Sequence, residues 1–161
     1  DHFLPVILPK KIPRFDDEYF YLHIDERWNN FEKKAFDNIN YVISKLSINE
    51  KIVISSNIGG NKVFNKIEQL HKNDLNVEII KDPNIDDMIS LIYHSHTCIS
   101  SHTGLVVHLS AALKKKIIDI VPQHIFDELD RWIPFNVDYK RLDILNFSNQ
   151  DLYSEVFSQK N

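Results

Sequence analysis

The sequence predicts an α/β fold: a parallel sheet covered by helices on both faces. Two observations carry that expectation. From residue 18 onward, short runs of β-branched, aromatic or aliphatic residues alternate with stretches whose apolar residues recur at helical spacing. Such alternation is the pattern of βαβ units. Several of the apolar runs also end in small or polar residues, as in "HIDERW", "SSNIGG" and "SSHTG". Parallel sheets bind ligands outside the carboxyl ends of their strands, so those three ends are expected to meet at one site.

Residues 1–17 hold three prolines and little periodicity, and read as a linker ahead of a domain spanning 18–161. "EYFYLHI" (18–24) is the first expected strand. A helix follows from Asn30, with Phe31, Ala35, Ile39, Val42, Ile43 and Leu46 inward and Lys33, Lys34, Asp37 and Asn38 outward. "KIVISSN" (51–57) is the next strand, then Gly59–Gly60 and a helix burying Val63, Phe64, Ile67 and Leu70. "NVEIIK" is a strand, and "NIDDMISLIYH" a helix that Asn84 caps, with Asp86 and Asp87 suited to its first turn. "TCIS" is a short strand, "GLVVHLSAALK" a helix and "KIIDIV" another strand. The run Lys114 to Lys116 marks a helix end, where cations suit the macrodipole. A helix near Ile125–Trp132, a strand near Leu142–Leu145 and a helix from about Asp151 complete the chain.

The totals bound the function. With 161 residues the chain fits one domain, and 19 Lys+Arg against 23 Asp+Glu give a formal net charge of -4. That balance argues against a general nucleic-acid binder, while backbone dipoles can still hold a small anion. Cys98 is the only cysteine, so no intrachain disulfide forms and a reducing, cytoplasmic setting fits. A peripheral place at the inner membrane stays open. No run approaches the ~20 apolar residues needed to span a bilayer. The start at Asp1 rather than Met points to a fragment or a processed chain.

In "SSHTG" the helix is expected to begin at Gly104, capped by Ser101 or Thr103. Its first N–H groups lack intrahelical partners and suit a diphosphate, which the glycine lets approach the backbone. A plain strand-to-helix turn is the other account. His108 lies one turn past Gly104, facing the same ligand or set in the core between Val107 and Leu109. Arg27 offers a planar fork to a phosphate, or is a solvated loop arginine beside a packed Trp28. "SSNIGG" offers hydroxyls, the Asn57 amide and flexible backbone to a ribose or base, or is simply a turn. A rival reading gathers His94, His96, Cys98 and His102 as zinc ligands, although the spacing matches no recurring zinc pattern. No G-x-S-x-G elbow and no G-x-x-x-x-G-K-[ST] loop is present.

Together, "YLHIDERW", "IDDMISLI" and "CISSHTGLVVHLSAALKKKIIDIV" resemble the C-terminal domain of glycosyltransferase family 9, the lipopolysaccharide heptosyltransferases and their relatives. The likeness covers roughly residues 18–122. Thr103, Gly104, His108, Leu109, Ala111, Ala112 and Leu113 match the character of the family's D-[ST]-G-x-x-H-L-A-A-A-L hallmark, and Arg27 before Trp28 matches its phosphate-contacting basic residue. His102 stands where the family has an acidic residue. Three residues rather than two separate Gly104 from His108, a rotation of about 100° on a helix. The family's acidic ribose contact has no match in "SSNIGG".

The resemblance implies the Rossmann-like donor half of a GT-B glycosyltransferase. Its function would be transfer of a sugar from a nucleoside-diphosphate sugar to a lipopolysaccharide or other surface-glycan acceptor. The displacement would be inverting and metal-independent, with no cofactor. Arg27, Asn57, Ser101, His102, Thr103, Gly104, Leu105 and His108 would contact the donor. The catalytic base and the glycolipid acceptor would belong to an N-terminal domain that this chain does not contain, leaving it inactive alone. Alternatives are another GT-B-like enzyme (an epimerase or a capsule-type transferase) and a non-catalytic nucleotide- or metal-binding module.

Overall fold

The structure is a computed structural model and describes residues 18–30, 33–57, 62–146 and 148–158. The expected linker and the glycines of "SSNIGG" lie outside those residues. The strands are β1 (Tyr19–His23), β2 (Ile52–Ser56), β3 (Val77–Lys81), β4 (Ser95–Ser100), β5 (Lys116–Val121) and β6 (Tyr139–Asp143). The helices are α1 (Lys33–Leu46), α2 (Lys62–His71), α3 (Ile85–His94), α4 (Gly104–Ala112), α5 (Phe126–Leu129) and α6 (Asn149–Phe157). Every neighbouring strand pair is parallel, in the order β3-β2-β1-β4-β5-β6. The chain runs outward from β1 in one direction and outward from β4 in the other. That reversal opens a crevice at the carboxyl ends of β1 and β4.

Both faces of the sheet are covered, so its central strands read as unbroken apolar runs. Phe20 and Leu22 of β1 pack with Ile39, Val42 and Ile43 of α1, Phe64 of α2 and Leu152 of α6. Tyr19 and Tyr21 face the other way, onto Met88 and Leu91 of α3 and Val106 of α4. The tyrosine hydroxyls are not left bare: Tyr19 donates to the Leu91 carbonyl at 2.7 Å, and Tyr21 shares a 2.7 Å bond with Ser55. Trp28, 1% exposed, anchors the turn after β1 in the first of these cores.

Several elements depart from the sequence expectation, each for a tertiary reason. Asn38, expected outward, is buried and donates to the Ile144 carbonyl at 2.9 Å, tying α1 to the end of β6. Leu70, expected inward, is 53% exposed because the buried stripe of α2 runs through Phe64, Ile67 and His71, and Leu70 falls beside it. β4 begins two residues early, at Ser95, and its register against β1 shifts between Tyr19 and Phe20. The 125–132 stretch is a four-residue helix flanked by two tight turns (123–125 and 130–132), and buries no side chain. The next strand lies at 139–143 rather than 142–145, since Tyr139 to Asp143 pair in register with Ile117 to Val121. The last helix starts at Asn149, capped by Ser148, whose hydroxyl accepts from the Asp151 N–H.

Helix ends follow local chemistry. Asn84 Oδ1 accepts the Asp87 N–H at 2.9 Å and caps α3 as expected. At the end of α4, Lys114 has φ 55, with Lys114 N–H to the Ala111 carbonyl (3.0 Å) and Lys115 N–H to the Ser110 carbonyl (2.9 Å). That is a Schellman closure with a lysine in the position glycine prefers. Lys114→Gly is therefore expected to raise stability by about 1 kcal/mol, and Asn84→Ala to lower it by about 1 kcal/mol. Urea unfolding midpoints at constant m check both signs.

Candidate functional site

The site is built from the segments that follow β1 and β4. After β1 the chain turns at Asp25, which is 5% exposed. Its Oδ1 accepts the Arg27 N–H (3.0 Å) and the Ser101 hydroxyl (2.9 Å), and its Oδ2 accepts the Thr103 hydroxyl (2.6 Å). One carboxylate thus fastens the β1 turn to the β4–α4 turn. This corrects the expected cap. Thr103 is at the N-cap position of α4, yet neither it nor Ser101 caps the helix, because Asp25 takes both hydroxyls. The first helical bond runs from the Val107 N–H to the Thr103 carbonyl at 2.9 Å. The N–H groups of Gly104, Leu105 and Val106 precede the helical ladder and mark its positive end.

His102 is the pivot of the turn. Its φ of 62 is left-handed, a region uncommon for residues other than glycine, although histidine is among those that enter it more often. Its ring turns inward, and Nδ1 lies 2.5 Å from Asp119 Oδ2 on β5. The His102 N–H also points at Asp119 Oδ1, at 3.2 Å. Asp119 is fully buried and further accepts the Ser100 hydroxyl and, at 2.7 Å, the Tyr139 hydroxyl. Burial, and then the Asp119 charge, push the Tyr139 phenol up, so it remains a donor. Across the turn, Arg27 Nη1 donates to the His102 carbonyl.

A cavity of about 310 Å³ opens here, lined by Arg27, His102, Gly104 and His108 on its polar side and by Val107, Leu129 and Trp132 on its apolar side. Of the residues expected to contact a donor, Arg27, His102, Gly104 and His108 come together. His108 is exposed at this wall rather than set in the core. Ser101 and Thr103 stand behind the wall, bonded to Asp25. Leu105 is 42% exposed and Asn57 is exposed at the end of β2, and neither lines the cavity. Nothing within 4 Å would meet a Cβ at Gly104, so the space over the helix start is open. A larger cavity of about 650 Å³ lies where α1 and α2 end, beside the amino ends of β2 and β3. Its buried His71 is already bonded to Asp74 (2.7 Å) and Asn40 (2.8 Å).

The zinc arrangement is corrected. Cys98 packs with Tyr19 and Tyr21 on one face of the sheet, whereas His96 meets Phe20, of the opposite face, edge-on at 4.2 Å. The register shift in β4 breaks the alternation that would have aligned them. Burial pushes the Cys98 thiol up, against the character of a ligand thiolate. Among the described residues no three His, Cys, Asp or Glu side chains are arranged to hold a metal ion.

Sequence reasoning missed Asp25 and Asp119 as the supports of the turn, and Leu129 and Trp132 as its facing wall. Asp119 had a signal: a lone charge inside the apolar strand "KIIDIV". Beneath the site, His23 is fully buried, bonded through Nδ1 to the Ser55 hydroxyl at 2.9 Å. Burial pulls its pKa from 6.5 to about 4, against the raising effect of Asp25 and Glu26.

Two outcomes follow from this geometry. Asp25→Ala leaves two hydroxyls and an N–H without their acceptor and is expected to lose roughly 3 kcal/mol, and Asp25→Asn about half of that. Urea unfolding measures both. His23 binds its proton more readily when unfolded, so lowering the pH favours the unfolded chain. Between pH 6.5 and 4, the wild type should lose up to about 1.4 kcal/mol per pH unit relative to His23→Phe, and nothing further below that window. Parallel unfolding series in pH would show that difference.

No family model and no curated protein matches this sequence. Solved structures do match its fold. The E. coli heptosyltransferase WaaC with ADP-2-deoxy-2-fluoro heptose superposes with a TM-score of 0.64 at 13% identity, over 88% of this chain and 43% of that one. The UDP-GlcNAc 2-epimerase of Methanocaldococcus jannaschii, with UDP-GlcNAc and UDP, gives a TM-score of 0.66 at 18% identity, over 90% and 39%. A glycosyltransferase from Rickettsia africae gives 0.62 at 15%, over 90% and 38%. The chain spans about two fifths of the length of these structures. At such identities the likeness shows the fold: an open six-stranded Rossmann-like α/β domain of the kind that GT-B sugar-nucleotide enzymes contain.

Proposed function

We propose that this chain is the donor-binding domain of a GT-B glycosyltransferase of heptosyltransferase-like type, and that the cavity at the β1–β4 crevice holds the diphosphate of a nucleotide-sugar. The observation that carries the reading is the meeting of Arg27, Gly104 and the free start of α4 in one cavity at the topological switch point. Backbone N–H groups at a helix start and a guanidinium are complementary to a diphosphate. The same groups serve the reaction. An acceptor hydroxyl oxygen bonds to the anomeric carbon while the bond from that carbon to the diphosphate oxygen breaks, its electron pair leaving with the diphosphate. The hydroxyl proton passes to a base on a separate acceptor-binding domain. In this reading the helix start and Arg27, rather than a metal ion, stabilise the charge that grows on the leaving group. The acceptor is a lipopolysaccharide or another surface glycan.

A second reading, a sugar-nucleotide epimerase, is favoured by the likeness to the Methanocaldococcus jannaschii enzyme. It uses the same cavity for the departing diphosphate and differs in product, which product analysis on a longer protein carrying both domains separates.

Calorimetric titration of this chain with ADP, GDP, UDP and CMP tests the reading. One nucleoside diphosphate is expected to bind. Gly104→Ala adds a methyl group to open space and should fold as the wild type does by circular dichroism. Where that methyl excludes a phosphate oxygen, affinity falls at least about tenfold, or about 1.4 kcal/mol. Failure of all four nucleotides to bind would overturn the reading.

A further inference from the structure

The sheet order brings a buried imidazole and carboxylate, hydrogen-bonded to each other, to the cavity wall. His102 and Asp119 are 5% and 0% exposed at their side chains. Asp119 accepts on both oxygens, from the Ser100 hydroxyl and the His102 N–H on Oδ1, and from the Tyr139 hydroxyl on Oδ2. With three other donors already converging on Asp119, the carboxylate is the acceptor here as well, and the hydrogen bond between Oδ2 and Nδ1 is donated by the imidazole. The tautomer is thereby set, and Nε2 is the ring atom that remains. Among the described residues Nε2 has no hydrogen-bond partner, and His102 lines the cavity. A polar ring nineteen-twentieths buried, with one nitrogen committed and the other unclaimed, points to a ligand that completes it.

We propose that His102 Nε2 contacts the ligand's diphosphate directly, as an imidazolium held between Asp119 on one side and a diphosphate oxygen on the other. The inference rests on the donor-site reading above and gives His102, one of the residues expected to face the donor, a specific partner atom and charge state. The charges balance: a proton on Nε2 gives the ring a positive charge shared between the Asp119 carboxylate and the anionic ligand. The surroundings suit that state. Asp119 from β5 faces the ring directly, and the neutral Tyr139 of β6 donates to Asp119. Arg27 holds the backbone carbonyl of His102 itself, and His108 of α4 shares the cavity. Asp25 is occupied by Ser101 and Thr103. The left-handed backbone at His102 aims the ring at β5 and its carbonyl at Arg27, so one residue joins both anion-binding elements. In the transferase and in the epimerase alike, a proton donor beside the diphosphate assists departure of the nucleotide.

The test is histidine nitrogen NMR on the uniformly labelled chain, with inorganic pyrophosphate, a nucleoside diphosphate and the matching nucleoside as probes. The expected result is a protonated Nε2 in the complexes with pyrophosphate and with nucleoside diphosphate, and no response to the nucleoside. His102→Asn keeps a side chain that tolerates the left-handed backbone, and should bind both diphosphates about tenfold to a hundredfold more weakly with its circular dichroism unchanged. Asp119→Asn, with the ring intact, should also weaken both and leave Nε2 unprotonated in the complex, a change that a purely structural role for Asp119 does not produce. A bound nucleoside diphosphate with Nε2 unprotonated, or with His102→Asn binding like the wild type, overturns this inference and leaves the donor-site reading standing. Absence of any diphosphate binding to the wild type overturns both.

Discussion

The site depends on two carboxylates that grip one turn from opposite sides. Asp25 draws the Ser101 and Thr103 hydroxyls toward β1, and Asp119 draws Ser100 and His102 toward β5. Between these anchors the chain takes a left-handed step at His102 and enters α4. Such a step costs on the order of 1–3 kcal/mol and persists only where its surroundings hold it. Here the surroundings also divert the hydroxyls that a helix start commonly uses. The N–H groups of α4 are left uncapped by side chains as a direct result of how the turn is fastened.

The electrostatics of the site differ from those of the whole chain. The formal net charge is -4, yet the cavity rim carries Arg27, two imidazoles and the positive end of a helix. The two carboxylates lie behind the turn, each occupied by several donors, so they orient the positive groups rather than cancel them at the rim. An overall acidic chain can therefore gather positive groups at one cavity without a basic surface.

The two walls of the cavity are held unequally. Arg27, His102 and Gly104 stand on the segments that directly follow β1 and β4, two strands buried along nearly their whole length, with α4 buried through Val106 and Val107. Leu129 and Trp132 come from the 123–132 segment, which buries no side chain, and Trp132 is 56% exposed. Segments with few buried contacts belong to the low-stability end of a structure. The polar wall is thus fixed by the sheet, and the apolar wall is held chiefly through Arg141 of β6, which bonds the Phe126 carbonyl and Asp130.

The sequence by itself determined the alternation of strands and helices, the parallel sheet and the place of the candidate site at the strand ends. Those properties are written in local periodicity, as in "YFYLH" buried on both sides and "NIDD" opening a capped helix. The strand ends drew notice to Arg27, His102, Gly104 and His108, because polar residues interrupting apolar runs stand out along the chain. Tertiary structure decided what each of them does. Asp25 and Thr103 are 78 residues apart, and His102 and Asp119 are 17 apart and on different elements. No periodicity links such pairs, and only the sheet order β1-β4-β5 makes them neighbours. The same holds for the separation of His96 from Cys98, which a single shift of register in β4 placed on opposite faces. Local propensity fixes elements because its interactions lie within a few residues, whereas hydrogen-bond partners across a sheet are chosen by topology.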